Sequence, residues 1–312
     1  MSSVINPFTG RWVIEPKIQN VWGNQHATWF TFMGIGGALF ISRMLLGIEL
    51  GRFWGMTWAD MLSLVLIGVG GLILIADLGK PLRLLRAVLN PRTSWISVGA
   101  ICDFIFMGFA GLWTLADLEI PGVLSLTGLP WHGDSPLGLA FQVIAALAAV
   151  VVIAYPGLVL ASSPSIPFWN SALIPIQFLV NGFASAFALG LIYAAITTVE
   201  PGTLTMWLAV TAALLVSSLF LQIGHLLNGQ YSHIAGRFSV RRLVAGDLQL
   251  VYLGGVIVAG LIVPLALVAY ALVADPGSIA ITVAAVAGVL IVVANWLSKH
   301  TVIRAGAYAP LM

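Results

Sequence analysis

Eight apolar segments, each long enough to cross a lipid bilayer as a helix, constrain this chain more than any other feature. The hydrocarbon core of a bilayer is about 30 Å thick, which a helix of roughly 20 residues spans. Only 8% of the residues are charged, against about 25% in a typical soluble domain. The predicted spans are Ala27–Leu50, Asp60–Leu78, Ser94–Ala116, Leu137–Leu160, Phe168–Val199, Thr203–Leu227, Gly246–Val273 and Ser278–Ser298. The sequence therefore predicts an all-α integral membrane protein with eight transmembrane helices.

The positive charges favour one side of this membrane protein. With the N-terminus inside, eleven of the 13 lysines and arginines fall in inside segments, and only Arg43 and Arg52 do not. The other outside loops carry acids instead, namely Asp117, Glu119, Asp134, Glu200 and Asp275. Basic residues concentrate in cytoplasmic loops. We therefore expect a multi-pass protein of the inner (cytoplasmic) membrane with both termini in the cytoplasm, and we find no signal peptide pattern.

A weak internal repeat suggests how the spans are organised. The first and fifth spans place small residues in the same part of each helix, in GIGGALF and NGFASAFAL. The pattern predicts two four-helix halves in the same orientation, at 27–160 and 161–299, with cytoplasmic segments at 1–26 and 300–312. The single cysteine, Cys102, can form no internal disulfide and cannot hold an iron–sulfur cluster alone.

Polar and aromatic residues from several spans converge at one depth near the inner surface. Such groups are costly in lipid and tend to face a bundle interior or a cavity. These residues are Gln25, His26, Thr28, Asp77, Trp95, Tyr155 and Asn170. A proton-exchanging carboxylate, a tyrosine hydroxyl, amides and aromatic walls suit a quinone headgroup. The alternatives are an interfacial belt for the tryptophan and an ion pair between Asp77 and Lys80 or Arg83.

Two ionisable residues lie deeper in the predicted spans. Asp103 is nine residues into the third span, and Arg43 lies toward the outer side of the first. An ionisable group inside a membrane is a functional hypothesis by default. A proton relay from the inner cavity through Asp103 and Arg43 and a structural hydrogen bond or ion pair both remain open.

Several motifs, in order and over nearly the whole chain, resemble the NrfD-type membrane subunits, the family of the polysulfide reductase membrane anchor. They are DLGKPLR followed by NPRTSWIS, AYPGLVLASSPSIPFWNS, GIGGALF in the first span, and RAGAYAPL near the C-terminal end of the sequence. The resemblance implies an eight-helix anchor that docks a four-cluster-type iron–sulfur subunit. That subunit usually carries a molybdenum or tungsten bis-pterin catalytic subunit, and the anchor exchanges electrons with menaquinone or ubiquinone.

The resemblance also assigns site residues. The acidic position of the family falls on Asp77, and its quinone-contacting tyrosine falls on Tyr155. The polar positions of the first span fall on Gln25 and Thr28, where this chain departs from the asparagine and histidine of the family. His26 could substitute only with a shift in register.

The histidines argue against a haem in this chain. A membrane haem b generally needs two axial histidines within helices, and none of the five histidines falls in the middle of a predicted span. We expect no haem and no metal here, so electrons would pass between quinone and a cluster in the partner. The basic loop with Lys80, Arg83, Arg86 and Arg92 would fix topology, bind lipid headgroups or dock that partner, and no nucleic-acid partner is expected.

Three other functions are alternatives to a quinone-reactive anchor. A secondary transporter predicts inverted repeats and acids at the bilayer midplane, whereas the repeat here is not inverted and the polar cluster lies at one surface. A structural anchor without quinone chemistry and a proton-translocating subunit stay open. The orientation favours a catalytic module on the cytoplasmic side that oxidises sulfite or another sulfur compound, with formate dehydrogenase and hydrogenase modules as alternatives.

Overall fold

Eight membrane-length helical segments build the protein, which confirms the predicted spans. The computed structural model describes residues 16–77, 90–274 and 278–309. Helices satisfy every backbone hydrogen bond internally, as the bilayer requires. The elements are α1 (Asn24–Leu46), α2 (Trp58–Asp77), α3 (Trp95–Ala116), α4 (Pro136–Ala161), α5 (Leu173–Ala194), α6 (Pro201–Ser232), the short α7 (Ile234–Ala245), a π-helix (Leu250–Ile262) that continues into α8 (Val263–Val273), and α9 (Ser278–Ala305).

Consecutive spans run antiparallel, so their ends meet on two faces of the bundle. We call the face where α1 begins and α2 ends the proximal face, and the opposite one the distal face. His26 contacts Asp77 at the proximal face, and Arg43 contacts Asp60 at the distal face. Two short hairpins also lie at the distal face, β1 (Arg52–Phe53) with β2 (Met56–Thr57) and β3 (Glu119–Ile120) with β4 (Leu124–Ser125).

Helix α1 lies at the centre of the bundle and contacts α2, α4, α5 and α9. Glycines let the backbones approach closely, as is common in membrane proteins. A Cβ on Gly37 would lie 3.1 Å from the carbonyl oxygen of Ala149 on α4, and one on Gly182 of α5 would lie 2.7 Å from that of Gly34. Because α1 packs against helices from both predicted halves, the division into two four-helix halves stays a prediction.

Several helix ends differ from the sequence prediction, and three of them change where a charged or polar residue lies. Helix α1 covers Asn24–Leu46, so Arg43 lies in its last turn rather than deep in the membrane. Helix α6 continues to Ser232. Helix α9 continues to Ala305, and Lys299, which was predicted to follow the last span, lies inside it and is fully buried. That prediction was wrong because the lysine packs against neighbouring helices instead of ending the helix in water.

The two ends of the described chain are joined at the proximal face. Ile18 forms an antiparallel bridge with Ala307, and the amide of Tyr308 donates to the carbonyl of Lys17 over 2.9 Å. The Gln19 side-chain amide donates to the carbonyl of Ile303 on α9, also over 2.9 Å. These bonds hold the segment before α1 against the segment after α9.

Candidate functional site

A tyrosine and a carboxylate meet between α4 and α3. Tyr155 is fully buried, and its hydroxyl donates to Oδ2 of Asp103 over 3.2 Å. The other oxygen, Asp103 Oδ1, is buried and has no hydrogen-bond partner among the described residues. One turn before Asp103, Gly99 makes room for the tyrosine ring, since a Cβ there would lie 2.3 Å from Tyr155 Cδ2. The pair thus combines two proton-exchanging groups with one free acceptor position.

An apolar groove of about 160 Å³ lies between α2 and α3 beside this pair. Its described lining residues are Ile67, Gly68, Gly71, Leu72, Leu74, Ile75, Ala100, Asp103, Phe104 and Met107. Asp103 is the one ionisable member of that set. Leu72 and Phe104 are 65% and 62% exposed, so the groove opens on the lipid-facing surface. An apolar cavity of roughly 150 Å³ can take a benzene ring, so the groove has room for a six-membered ring.

The local sequence fixes the position of Tyr155. Pro156 follows it inside α4, where the missing N–H removes one helical hydrogen bond. Gly157 comes next and allows α5 to approach, because a Cβ there would lie 2.6 Å from Cα of Pro175. On the other side, the ring of Trp29 stacks on the Tyr155 ring with centroids 5.8 Å apart. Helices α1 and α3 therefore hold the tyrosine ring, and α5 packs against the α4 backbone two residues later.

A second pair lies at the proximal face. The Nε2 of His26 is 3.1 Å from Oδ2 of Asp77, whose side chain is 35% exposed. His26 Nδ1 accepts from the amide of Gly23 over 3.4 Å, which assigns the proton to Nε2, facing the carboxylate. The ring of Trp22 stacks on the imidazole at 4.6 Å and also contacts Trp169 at 5.6 Å. The partly exposed carboxylate of Asp77 therefore links the buried imidazole of His26 to solvent.

The two first-span residues assigned by the family resemblance have other surroundings. Gln25 is exposed in the first turn of α1. The hydroxyl of Thr28 donates to the carbonyl of Asn24 over 2.9 Å and accepts from the indole N–H of Trp296 over 3.0 Å. Thr28 therefore ties α1 to α9, a contact that no pattern in the sequence indicates.

Two further predicted site residues lie at helix ends on the proximal face. Trp95 is the first residue of α3 and is 43% exposed. Asn170 is exposed, and its amide donates to the carbonyl of Ala161 at the end of α4 over 2.6 Å. Their placement at this face matches the depth predicted from the sequence.

Asp77 and Tyr155, predicted to share one pocket, have separate partners in the structure. A row of aromatic rings connects their two pairs. From His26 the row passes through Trp22 to Phe30 at 6.0 Å, and from Phe30 through Trp29 at 4.3 Å to Tyr155. The two pairs therefore lie on one packed layer of rings rather than in one cavity.

The predicted relay residue Arg43 forms a bidentate ion pair at the distal face. Its Nε and Nη2 donate to Asp60 over 2.9 and 2.5 Å, and Thr57 also donates to that carboxylate over 2.8 Å. The guanidinium also lies over the rings of Phe40 and Trp113, at 5.6 and 5.3 Å. Asp60 was not among the predicted site residues, although it lies in the first turn of α2, opposite the last turn of α1.

Apolar side chains lie between Asp103 and Arg43. Phe40 of α1 and Phe106 of α3 are both fully buried, and their rings meet edge to face at 5.2 Å. The two predicted relay residues are therefore found with different partners, at different depths.

A solvent-linked acid and histidine follow the third span at the distal face. His132 Nε2 lies 3.4 Å from Oδ1 of Asp117, the residue that caps α3. Partial burial raises the pKa of Asp117, and the nearby His132 opposes that shift. The Asp117 carboxyl is therefore more easily protonated than a fully exposed aspartate.

Of the predicted docking residues, Lys80, Arg83 and Arg86 lie outside the described residues. Arg92 is exposed in the turn that precedes α3 at the proximal face. This position is compatible with a role in contacting a partner or lipid headgroups.

Two histidines lie deeper in helices than the sequence indicated. His225 is inside α6, fully buried, with Nε2 2.9 Å from the carbonyl oxygen of Phe168 and its ring stacked on that phenylalanine. His300 is inside α9 and stacks on Trp296. The predicted spans put His225 close to a helix end and His300 beyond one, and the structure places both inside because these two helices are longer than the hydropathy indicated.

The family model for polysulphide reductase, NrfD, matches residues 12–307, nearly the whole chain. The chain belongs to the NrfD family. A comparison with curated proteins found no match. The resemblance drawn from the motifs is thereby confirmed.

NrfD membership makes this chain an integral membrane subunit of a redox complex, from a family associated with the quinone pool. In the residues that the structure describes, no group of three or more histidine, cysteine, aspartate or glutamate side chains is placed to hold a metal ion. Several ionisable groups of this NrfD chain form pairs, and the pair of Tyr155 with Asp103 lies beside a ring-sized groove.

Proposed function

We propose that this chain is the quinone-reactive membrane subunit of an oxidoreductase complex. It exchanges electrons between the iron–sulfur cluster of a partner and the membrane quinone pool. The observation that carries this proposal is the juxtaposition of the Tyr155–Asp103 pair with a lipid-open groove. An isoprenoid quinone needs an apolar slot for its ring, a lateral opening for its tail and proton-exchanging groups at its oxygens.

The Tyr155–Asp103 pair has side chains that can transfer the protons of this reaction. Quinone interconverts with quinol by gaining or losing two electrons and two protons. Asp103 lines the groove and has one unpartnered oxygen, so it can accept or donate a proton there. The Tyr155 hydroxyl hydrogen-bonds the carboxylate when the proton has left, which stabilises the charged form. Asp103 is therefore the proposed proton donor and acceptor, and Tyr155 its hydrogen-bonding partner.

The proximal residues supply the connection to water in this proposal. The His26–Asp77 pair joins a buried imidazole to a partly exposed carboxylate, which suits proton exchange with the aqueous phase. Gln25, Thr28, Trp95 and Asn170 would border the same end of the bundle, as walls or tail contacts. Arg43 would act only after a rearrangement of the aromatic rings that separate it from Asp103.

The partners follow from the family and from the basic residues. We propose that a four-cluster-type iron–sulfur subunit docks on the proximal face, near Arg92 and the loop with Lys80, Arg83 and Arg86. A molybdenum or tungsten bis-pterin subunit would complete the complex. The positive charges place this face in the cytoplasm in our proposal, with a sulfite- or sulfur-compound-oxidising module favoured. Purification through this chain, followed by identification of the co-purifying subunits, tests that assignment.

The test of quinone chemistry compares two electron routes in the purified complex. Tyr155→Phe and Asp103→Asn should each lower quinone-linked turnover by about 100-fold, the usual loss for a general acid or base. Turnover with a soluble dye that exchanges electrons at the partner should remain unchanged. Tyr270→Phe, at an exposed tyrosine on α8, and Asp134→Asn, in an exposed distal loop, are the matched controls. Unaltered quinone-linked turnover in both site variants would favour a purely structural anchor.

A further inference from the structure

The segment that precedes α1, residues 16–23, presents apolar side chains at the proximal face. We call it the proximal strap. Val21 is 70% exposed and Ile18 is 43% exposed, whereas Pro16 and Gln19 are buried beneath them. Trp22, the next residue of the strap, is half-buried. The strap therefore has an inner side that packs on the bundle and an outer side with two exposed aliphatic side chains.

Hydrogen bonds on several sides hold the strap in one conformation. The side-chain amide of Gln19 donates to the carbonyls of Trp22 and Ile303, and its oxygen accepts from the amide of Trp22, all over 2.9 Å. The backbone amide of Gln19 donates to the carbonyl of Gly306 over 3.0 Å. A surface that is already ordered loses little conformational entropy when a partner binds.

The strap lies over the middle of the bundle rather than at its lipid-facing edge. It leads directly into α1, which is enclosed by α2, α4, α5 and α9. The segment after α9, to which the strap is joined, is tied in turn to the loop between α4 and α5, because the amide of Ala309 donates to the carbonyl of Ser165 over 2.9 Å. Protein thus separates the strap from lipid, and exposed apolar side chains in such a place indicate an interaction surface for another protein.

The proximal face around the strap is positively charged. Four of its basic side chains are exposed and form no ion pair within the part of the chain that the structure describes, namely Lys17, Arg92, Arg237 and Arg241. The exposed acids Asp77 and Asp247 are each paired, with His26 and Arg242. The unpaired charge of this face complements a partner with an acidic surface.

A row of aromatic rings leads inward from the strap to the proposed quinone site. Trp22 contacts Phe30 at 6.0 Å, Phe30 contacts Trp29 at 4.3 Å, and Trp29 stacks on Tyr155. A subunit that exchanges electrons with a quinone beside Tyr155 comes closest to it at the Trp22 end of this row. An iron–sulfur cluster held by four cysteine thiolates has a net negative charge, which also suits the basic face.

We propose that the proximal strap is the central contact for the iron–sulfur subunit, which buries Val21 and Ile18 in the interface. This inference rests on the proposed function, which supplies the iron–sulfur partner. Lys17, Asn20 and Asn24 are exposed beside the two aliphatic residues and form the polar rim of the contact. An apolar centre within a polar rim is the usual anatomy of a protein interface.

The first experiment measures how tightly the partner is held in the purified complex. The affinity tag is inserted at Gly128, in an exposed distal loop, so that the strap stays free. Val21→Asp places a carboxylate in the apolar centre, and half-dissociation on dilution should occur at a concentration at least about tenfold higher than in the wild type. Val123→Asp is the matched control, because this valine is 79% exposed at the distal face. It should dissociate like the wild type.

The second experiment locates the contact directly. Val21→Cys carrying a photoactivated maleimide crosslinker should attach to the iron–sulfur subunit, and Val123→Cys should not. Cys102→Ser in both variants removes the native thiol. Peptide mass spectrometry identifies the attached chain. A crosslink from position 21 to the iron–sulfur subunit supports the inference even if Val21→Asp does not assemble.

The outcomes separate this inference from the proposed function. Wild-type dissociation in Val21→Asp, with no crosslink from Val21→Cys to the bound iron–sulfur subunit, would overturn the inference alone, because the partner would then dock elsewhere. Crosslinks from position 21 only to a second copy of this chain or to lipid would overturn it as well. Absence of any iron–sulfur subunit from the purified wild-type complex would overturn the proposed function and this inference together.

Discussion

The polar groups of the first four spans are arranged differently from those of the last four. In the first four, ionisable side chains meet in facing pairs, each joining a strongly buried member to a more accessible one. The pairs are His26 with Asp77, Tyr155 with Asp103, and Asp60 with Arg43. In the last four, the single Lys299 is surrounded by amides and hydroxyls that are all buried.

The cavities differ in the same way. The groove beside Asp103 is apolar, about 160 Å³ and open to lipid, whereas a cavity between the last four spans is about 20 Å³ and has polar as well as apolar residues in its lining. A ring-sized ligand can enter only the first, and a single water fits the second. In our proposal the first four spans carry the quinone chemistry, and the polar side chains around Lys299 in the last four stay enclosed within the bundle.

The largest effect on stability should come from breaking the distal pair. Asp60→Leu or Arg43→Met alone should lower the free energy of unfolding by about 3–5 kcal/mol, because each leaves a buried charge without its partner. Unfolding in mixed micelles measures this loss. The double variant should recover most of it, and purely additive losses would show that the two side chains do not act as a pair.

A somewhat smaller effect is expected where α3 meets the ring of Tyr155. Gly99→Ala places a methyl group where the ring now lies, which should cost about 1–3 kcal/mol through overpacking. Quinone-linked turnover should fall as well, because the tyrosine must move away from Asp103. Gly108→Ala on the same helix meets nothing within 4 Å and serves as the control. Similar losses in both variants would mean that general helix packing, not the tyrosine, is responsible.

The buried hydroxyls of the last four spans should tolerate the loss of one hydrogen bond better than the ionisable pairs tolerate the loss of one partner. Ser218→Ala removes the donor to Asn181, and we expect a loss of about 1 kcal/mol, since the adjoining cavity lets water replace the bond. The unfolding midpoint at fixed detergent concentration measures it. A loss as large as that of Asp60→Leu would remove the distinction between the two groups of spans.

The smallest effect concerns an exposed ion pair at the proximal face. Hydrogen bonds from Arg242 lower the pKa of Asp247, so its contribution is present above the unfolded-state pKa and is lost as pH falls through the folded-state one. Asp247→Asn should cost less than about 1 kcal/mol near pH 7, since the carboxylate is largely exposed. The difference from wild type should vanish in acid, and a difference that grows in acid would contradict the sign.

The sequence predicts the spans well because membrane crossing depends on length and apolar content. Nearness to a helix end also follows for some residues, such as Trp95, which is the first residue of α3. The sequence does not predict which side chains pair between helices, because pairing depends on how each helix is rotated about its own axis. These helices are apolar on nearly all sides, so hydropathy does not fix that rotation. Asp103 was recognised, but its contact with Tyr155 required the structure.

The burial of Lys299 was missed for a related reason. A lysine followed by a histidine near the end of an apolar run usually marks the membrane boundary. Here Asn295, on the same helix, accepts a hydrogen bond from Nζ of Lys299, and the Asn295 amide donates in turn to Ser185, which is 110 residues away in sequence. No local pattern contains that information.

The joining of the two chain ends has a consequence for biogenesis. The central helix α1 is made first, yet its packing partner α9 and the strand-like contact between Ile18 and Ala307 arrive last. A nascent chain with seven spans inserted would therefore still have its first helix incompletely enclosed. Assembly in the membrane should therefore depend on factors that shield α1 until α9 is inserted, and substitutions that prevent the contact between Ile18 and Ala307 would disturb the closing step.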